Sequence, residues 1–220
     1  MTPTDGLQVV VMPNGSFGQN TALLIDEATQ LAVVVDPGEE HGRILAAIRH
    51  RELKVTAIWL THGHVDHIWG VDAIRDATGA EAWLHPADRP WYDRFADQCR
   101  HFGFAPMPPL NPPDHELTHG QVVSLGPWSF EVRHVPGHSP GHVAFIGHGL
   151  CLSGDVLFAG SIGRTDLAGG DHGELISSIH TQLLTLPDET RVITGHGPET
   201  TIGAERGSNP FLRLRGKGQG

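Results

Sequence analysis

The feature that most constrains this chain is a short segment in which four possible metal ligands fall within six residues. The segment, Thr61-His62-Gly63-His64-Val65-Asp66-His67, directly follows the apolar run Ala57–Leu60. So many ligands cannot share one face of a strand or a helix, because successive side chains point in different directions. They fit a loop that leaves a strand and enters a helix, with His62 and His64 directed one way and Asp66 and His67 another. This pattern predicts a site for two adjacent metal ions.

Three further candidate ligands each follow an apolar run through a glycine. They are His138 after Pro136-Gly137, Asp155 after Ser153-Gly154, and His196 after Gly195. Glycine permits tight turns at strand ends, where α/β proteins gather their sites. With the first cluster they give seven nitrogen and oxygen ligands, enough for two metals that share a carboxylate and a water. The carboxylates of the set, Asp66 and Asp155, are the expected catalytic residues.

Strand-type and helix-type patterns alternate along the chain, which predicts an α/β (α+β) protein. Nine short apolar runs predict strands: Leu7–Met12, Thr21–Ile25, Leu31–Val35, Ala57–Leu60, Ala82–Leu84, Trp128–Val135, Val143–Ile146, Leu150–Leu152 and Arg191–Thr194. Helices are expected from near Glu39, after Asp66 as far as Gly79, over about 86–100, and from Asp171, where Glu174 completes a capping box. We expect one domain over residues 1–212 and a flexible tail over 213–220.

Composition narrows the class of protein. Hydrophobic residues make up 39% and charged residues 18% of the 220 residues, as in globular proteins, and every apolar run is too short to span a bilayer. The net charge of −10 disfavours nucleic acid as a partner. Because residues 1–7 lack a basic residue and an apolar stretch, we expect no secretion signal and a cytoplasmic location. A reduced, buried thiol at Cys151 is favoured over a disulfide with Cys99, which is the alternative.

Four motifs together resemble the metallo-β-lactamase superfamily: Thr-His-x-His-x-Asp-His, Gly-His-Ser-Pro-Gly-His (137–142), Ser-Gly-Asp (153–155) and Gly-His-Gly (195–197). The resemblance extends from about Val9 to Phe211 and is closest to the short, single-domain type of glyoxalase II, the hydroxyacylglutathione hydrolases. It implies a four-layer αβ/βα sandwich, in which two mixed sheets face each other with helices outside. It also implies the ligand assignment: His62, His64 and His138 on one metal, Asp66, His67 and His196 on the other, and Asp155 bridging.

The implied reaction is hydrolysis of S-D-lactoylglutathione to D-lactate and glutathione. A metal ion lowers the pKa of bound water to roughly 7, which makes hydroxide available at neutral pH. A thiolate, with a pKa near about 8.5, leaves without prior protonation, so a thioester needs no dedicated general acid. The expected cofactors are two divalent metal ions, zinc first, although these ligands also suit iron or manganese.

Four residues outside the ligand set complete the prediction. His142 either orients a ligand or the bridging carboxylate by donating a hydrogen bond, or is satisfied by the backbone. Arg164 and Asp166, in Gly163-Arg164-Thr165-Asp166, are expected to pair and hold their loop together. Long-form glyoxalase II enzymes bind glutathione with basic and tyrosine residues of an extra helical domain. Here Arg206, and to a lesser degree Arg164, are the expected contacts of an anionic thiol carrier.

Several alternatives stay open. A persulfide dioxygenase, with one iron, shares much of the motif, and a lactonase or β-lactamase shares the fold, although β-lactamases often use a cysteine ligand. A flavodiiron-type electron carrier needs a glutamate in place of His64 and a flavin domain. A purely structural zinc site is disfavoured because such sites are closed, four-ligand and often rich in cysteine. The expected partner is a small-molecule thioester, with neither nucleic acid nor membrane, and the oligomeric state is left open.

Overall fold

Six strands from the first half of the chain form one mixed sheet in the computed structural model, which describes residues 6–212. In chain order, which is also their order in the sheet, they are β1 (Leu7–Asn14), β2 (Gln19–Asp26), β3 (Leu31–Val35), β4 (Lys54–Trp59), β5 (Glu81–Leu84) and β6 (His115–Glu116). Strands β1 to β3 pair antiparallel, and β3 to β6 pair parallel. β2 is buried along its whole length because both faces of the sheet are covered.

The second half of the chain forms a second mixed sheet. The strands in this half of the chain are β7 (Val122–Leu125), β8 (Trp128–His134), β9 (Val143–Gly147), β10 (Leu150–Gly154), β11 (Leu157–Phe158), β12 (Ser161–Ile162), β13 (Arg191–Thr194) and β14 (Thr200–Thr201). All of them belong to the second sheet except β11 and β12, which pair with each other in a small hairpin. The order across the sheet is β14-β13-β10-β9-β8-β7, with β10 and β13 parallel and the other pairs antiparallel. The parallel pair brings the carboxyl ends of β10 and β13 to the same edge.

Helices cover the outer face of each sheet. They are α1 (His41–His50), α2 (Val65–Ile68), α3 (Val71–Thr78), α4 (Arg89–Tyr92), α5 (Phe95–His101), α6 (His172–Ser178) and α7 (Ile202–Ser208). Apolar residues of α1, α3 and α5, such as Ile44, Ile74 and Phe95, pack on the first sheet. Leu175 of α6 and Ile202 of α7 pack on the second. Within residues 6–212, none of the helices combines the length and the apolarity needed to cross a membrane.

A hydrophobic core also lies between the two sheets, in addition to the core that each sheet forms with its helices. The Trp59 ring lies at its centre, with ring centroids 5.6 Å from Phe130 and 5.1 Å from Phe145. The order of layers is therefore helices, sheet, sheet, helices. This confirms the sandwich of two mixed sheets flanked by helices that the sequence predicts.

The structure differs from the prediction in the helix after Asp66, which is two helices, α2 and α3. The chain turns at Gly70, whose N–H donates to the Pro37 carbonyl at 2.8 Å. A Cβ at this position would lie 2.8 Å from the Gly38 carbonyl oxygen, so only glycine allows this close approach. Strands β6, β7, β11, β12 and β14 were not predicted, because each is short or lacks an apolar run.

Other expectations agree with the structure. Gly79 ends α3, and Asp171 caps α6 by accepting a hydrogen bond from the Glu174 N–H at 2.9 Å. One π-helical turn, Ile179–Leu183, continues α6, and a 3₁₀ turn, Pro86–Asp88, precedes α4. Cys99 and Cys151 are buried and free. The predicted tail, 213–220, lies outside the described residues.

We expect Phe130→Ala to lower the free energy of unfolding by about 3–5 kcal/mol, because it removes a fully buried ring between the two sheets. Urea denaturation followed by circular dichroism measures the change. The control is Val122→Ala, in the same sheet but 62% exposed, which should change stability by no more than about 0.5 kcal/mol. Equal losses in the two variants would contradict the packing described here.

Candidate metal centre

The loop between β4 and α2 carries the first group of candidate ligands. His62 and His64 lie in the loop, whereas Asp66 and His67 lie in the first turn of α2. The other three candidates follow the ends of β8, β10 and β13 in the second sheet. The structure therefore brings all seven predicted side chains to one edge of the sandwich, where loops of the two sheets face each other.

The side chains form two groups. The ligand atoms of His62, His64 and His138 all lie within 4.8 Å of one another, and so do those of Asp66, His67 and His196. In the first group, His64 Nδ1 lies 2.9 Å from His138 Nε2. In the second, His196 Nε2 lies 3.1 Å from Asp66 Oδ2.

Asp155 lies between the two groups. Its Oδ2 is 3.6 Å from His138 Nε2 and 3.4 Å from His196 Nε2, so one carboxylate faces both sets. The neighbouring residue Gly195 leaves room for it, because a Cβ there would lie 2.1 Å from Asp155 Oδ1. This position suits a carboxylate that is shared by two cations.

Buried polar atoms without partners test whether a cation fits here. Within residues 6–212, His62 Nε2, His67 Nε2 and Asp155 Oδ1 are buried and make no hydrogen bond. Although His67 Nε2 and Asp155 Oδ1 are 3.4 Å apart, the contact does not have hydrogen-bond geometry. Leaving such atoms unsatisfied costs about 1–3 kcal/mol each. All three face the two groups, so the residues present fit bound cations.

Burial and neighbouring charges shift the histidine pKa values in different directions in the two groups. Burial and the neighbouring His67 lower the pKa of His62 well below its ordinary value, and burial and His138 lower the pKa of His64 to about 3. Both imidazoles are therefore neutral at pH 7, the form that binds a metal. Burial opposes a charge on His196, but hydrogen bonds to Asp155 and Asp66 raise its pKa to about 9. The second group thus has enough negative charge to attract a cation.

Asp36 supports both the loop and the second group, and the sequence analysis missed it. It follows β3, is buried, and adopts a left-handed backbone with φ of 50°. Its carboxylate accepts hydrogen bonds from Thr61 N–H and Thr61 Oγ1, both at 2.7 Å, and from His67 Nδ1 at 3.0 Å. The last contact directs His67 Nε2 to the cluster. Because its oxygens are occupied in this way, we assign Asp36 to orienting His67 and not to binding a cation, although it also lies near His62.

Asp88 connects the two loops that carry the first group, and the sequence analysis missed it as well. This fully buried carboxylate accepts hydrogen bonds from Gly63 N–H at 2.8 Å, Ser139 Oγ at 2.7 Å and Gly141 N–H at 2.5 Å. Burial raises its pKa, while these hydrogen bonds lower it in part. Asp88 therefore fixes the loop of His62 and His64 relative to the turn of His138.

His142 contacts the cluster through the backbone of Asp155. Its Nε2 accepts a hydrogen bond from the Asp155 N–H at 3.0 Å, and its ring stacks on His62 with centroids 4.7 Å apart. One expectation from the sequence was that His142 donates a hydrogen bond to a ligand, and the other was that the backbone satisfies it. In the structure His142 accepts a hydrogen bond, so its direction is opposite to that of the first expectation. The backbone expectation describes the geometry better, and through it His142 positions Asp155.

His196 is held by the N-terminal hairpin. Its Nδ1 lies 3.2 Å from the Phe17 carbonyl oxygen, and Gln19 pairs with His196 as an isolated antiparallel bridge. The next residue, Asn20, donates its backbone N–H to the Gly195 carbonyl at 2.7 Å, and its side chain donates to the Thr194 and Gly197 carbonyls. The first two strands of the chain thus fix the last candidate ligand.

The arginines near the sequence motifs have different environments. Arg164 pairs with Asp166 through two hydrogen bonds of 2.7 and 2.8 Å, as expected, and its carbonyl oxygen contacts His138 Nδ1 at 2.8 Å. Arg206 instead donates to the Leu184 and Leu186 carbonyls and pairs with Asp188. Because these contacts hold Arg206 where it does not line the cavity beside the cluster, the structure gives no support to its expected role in substrate binding.

The cluster lies on the wall of a cavity of about 910 Å³. Besides candidate ligands, the cavity is lined by apolar side chains, including Phe17, Trp91, Phe102, Phe158, Ile162 and Leu167. Its charged lining residues outside the cluster are Arg94, Asp97, Arg100 and Arg164. A mostly apolar cavity with a few charged groups is typical of a site for a small molecule.

We expect Asp88→Asn to weaken metal binding by about 10–100-fold, because an amide offers one acceptor oxygen to three hydrogen-bond donors and places its own N–H₂ against them. Metal content after dialysis and competition with a chromophoric chelator measure the effect.

The control for this variant is Asp26→Asn, which alters another buried carboxylate, bonded to Thr29 and Trp128 away from the cluster. It should lower stability but leave metal affinity unchanged. If both variants bound metal as the parent protein does, Asp88 would have no part in forming the centre.

Comparison with known proteins agrees with this geometry. The model of the metallo-β-lactamase superfamily matches residues 15–196. The chain is similar to a protein from Haemophilus influenzae named hydroxyacylglutathione hydrolase GloC, with 38% identity over 95% of this chain and 100% of the relative. Two solved structures are similar as well: BLEG-1, a B3 metallo-β-lactamase (TM-score 0.89, 40% identity, 94% of this chain and 100% of that chain), and TTHA1623 in a di-iron-bound form (TM-score 0.84, 41% identity, 93% and 100%).

The histidine and aspartate groups, together with this fold, imply divalent metal ions and a hydrolase-type enzyme. The family model matches most of the length of the chain, and these relatives span the chain almost end to end. The chain therefore belongs to the metallo-β-lactamase superfamily.

Proposed function

We propose that this protein is a dinuclear metal hydrolase of thioesters and that its substrate is S-D-lactoylglutathione, which it converts to D-lactate and glutathione. The observation that carries the proposal is the convergence of seven nitrogen and oxygen ligands, with no cysteine among them, on the wall of a cavity of about 910 Å³. The similarity to a relative named hydroxyacylglutathione hydrolase supports the same substrate class.

In this proposal His62, His64 and His138 hold one cation, and Asp66, His67 and His196 hold the other. Asp155, whose carboxylate faces both groups, would be shared by the two cations. The buried atoms without hydrogen bonds, such as His62 Nε2 and Asp155 Oδ1, support this assignment, because a cation would satisfy them. Zinc is the proposed metal, and iron or manganese suits the same ligands.

Bound divalent cations supply polarisation of the substrate carbonyl and a water whose pKa is lowered to roughly 7. The protein's contribution is to fix the ligands: Asp36 orients His67, and the Arg164 carbonyl accepts from His138 Nδ1, so that each Nε2 faces the cluster. Hydrolysis forms a C–O bond and breaks the C–S bond, which leaves a carboxylate and a thiol. Because the departing thiolate has a pKa near about 8.5, no side chain has to protonate it.

The second group of ligands bears on the alternatives. A persulfide dioxygenase with a single iron leaves one of the two groups unused, whereas Asp66, His67 and His196 converge as tightly as the first group does. Two metal ions per chain and thiol release without oxygen support the hydrolase, and one iron with oxygen uptake supports the dioxygenase.

We expect purified protein to release thiol from S-D-lactoylglutathione, to lose this activity with a chelator and to regain it when zinc is added back. His64→Ala and Asp155→Ala should each lower kcat/KM by at least about 100-fold, since even partners outside the ligand set contribute 10–100-fold in such sites. A colorimetric thiol assay measures the rates, and circular dichroism shows that the variants are folded.

The matched control is His50→Ala, which removes an exposed histidine at the end of α1. It should leave the rate unchanged. Normal hydrolysis by His64→Ala, or activity that survives complete removal of metal, would refute the proposed function.

A further inference from the structure

Three charged side chains, at the N-cap and on one face of α5, lie beside the candidate metal centre. Arg94, Asp97 and Arg100 all line the cavity that also contains His64 and Asp66. Asp97 pairs with both neighbours, at 3.7 Å from Arg94 Nε and in a shorter contact with Arg100. These residues were not predicted from the sequence, because nothing in it shows that this helix borders the cavity.

Other residues of α5 fix the helix relative to the metal loop. Phe95 and Cys99 are buried in the core under the first sheet. Gln98 donates to the Gly63 carbonyl at 2.9 Å and accepts from the Val65 N–H at 3.0 Å, on either side of His64. The helix backbone that carries the three charged residues is therefore held in a defined position relative to the cluster, and their side chains reach solvent.

The charge pattern of this face differs from that of the whole chain. The chain has a formal charge of −10, whereas this face carries two arginines and one aspartate, and Arg164 lines the same cavity. The sequence of charges along the helix is plus, minus, plus. Arg94 and Arg100 are six positions apart, which corresponds to about 9 Å along the helix axis at about 1.5 Å per residue.

We propose that Arg94, Asp97 and Arg100 form the binding subsite for the thiol carrier of the substrate, and that the carrier is a γ-glutamyl peptide with two carboxylates and one ammonium group. This inference rests on the proposed function, because it concerns the leaving half of the thioester. Guanidinium groups bind carboxylates through paired, charge-assisted hydrogen bonds, and a carboxylate binds an ammonium group. An extended tripeptide spans about 10 Å, a length comparable to the rise along the helix between the backbone positions of the two arginines.

The subsite gives such a carrier charged contacts that do not depend on Arg206, which does not line the cavity. The apolar rings of Trp91 and Phe102, which line the same cavity, leave the arginines as the chief charged groups on this wall. A neutral thiol carrier would gain nothing from the three charges.

Two substrates with the same acyl group test the subsite: S-D-lactoylglutathione and the D-lactoyl thioester of N-acetylcysteamine, which has no charge. We expect the double variant Arg94→Gln/Arg100→Gln to raise KM for the glutathione thioester by about tenfold or more, with little change in kcat. KM for the neutral thioester should not change. Added salt should raise KM for the charged substrate only.

The control is Arg89→Gln in α4, an exposed arginine paired with Asp93 at 2.6 Å and absent from the cavity lining. It should leave both KM values unchanged. If the double variant changes KM for both thioesters equally, or for neither, the subsite is wrong while the hydrolase stands.

Binding of S-methylglutathione, a thioether that cannot be hydrolysed, separates this inference from the proposed function. Calorimetry should show that the double variant binds it about tenfold more weakly than the parent protein. If the parent protein hydrolyses no thioester but binds S-methylglutathione through these arginines, the reaction is wrong and the carrier subsite stands. Equal affinity in parent and double variant, or no binding by the parent, overturns the subsite.

Discussion

The structure depends on keeping buried histidine and aspartate side chains close together although some of their polar atoms have no hydrogen-bond partner. His62 and His67 are completely buried, Asp155 is nearly so, and atoms of all three lack hydrogen-bond partners. A folded chain tolerates such a group only if cations complete it and if the surrounding protein prevents the side chains from turning away. The two hydrophobic cores on the outer faces of the sheets and the third core between the sheets supply the rigidity. The polar atoms without hydrogen-bond partners lie at one edge of the sandwich.

The loops are held by carboxylates that we do not assign to cations. Asp36 and Asp88 each accept three hydrogen bonds, and each joins segments distant in sequence: β3 with the metal loop, and the metal loop with the turn after β8. The same helical segment that begins beside Asp88 continues into α5 and the wall of the cavity. Changes that shift this wall will therefore also disturb the ligands, so that substrate binding and metal binding are coupled through shared backbone.

Much of this arrangement follows from the sequence, because a ligand at the end of an apolar run is placed at a sheet edge wherever the run forms a strand. That reasoning located the seven side chains that the structure brings together. It applied equally to Asp36, in Val-Asp-Pro-Gly after β3, which was overlooked. Arg94 and Arg100 could not be found in this way, since their roles depend on which helix face meets the cavity. Asp88 could not be found either, since its role depends on which loops pack against it. The sequence also could not show that Arg206 lies outside the lining of the cavity.

The attachment of His196 to the N-terminal hairpin has a consequence for biosynthesis. The side chain of Asn20 bonds to the Thr194 carbonyl across 174 positions, so the two ends of the domain are joined directly at the centre. On the ribosome, the hairpin and the His-x-His-x-Asp-His loop emerge long before their last partner does. The nascent chain therefore offers an incomplete set of ligands during most of translation, and full metal loading has to wait until the final strand has docked.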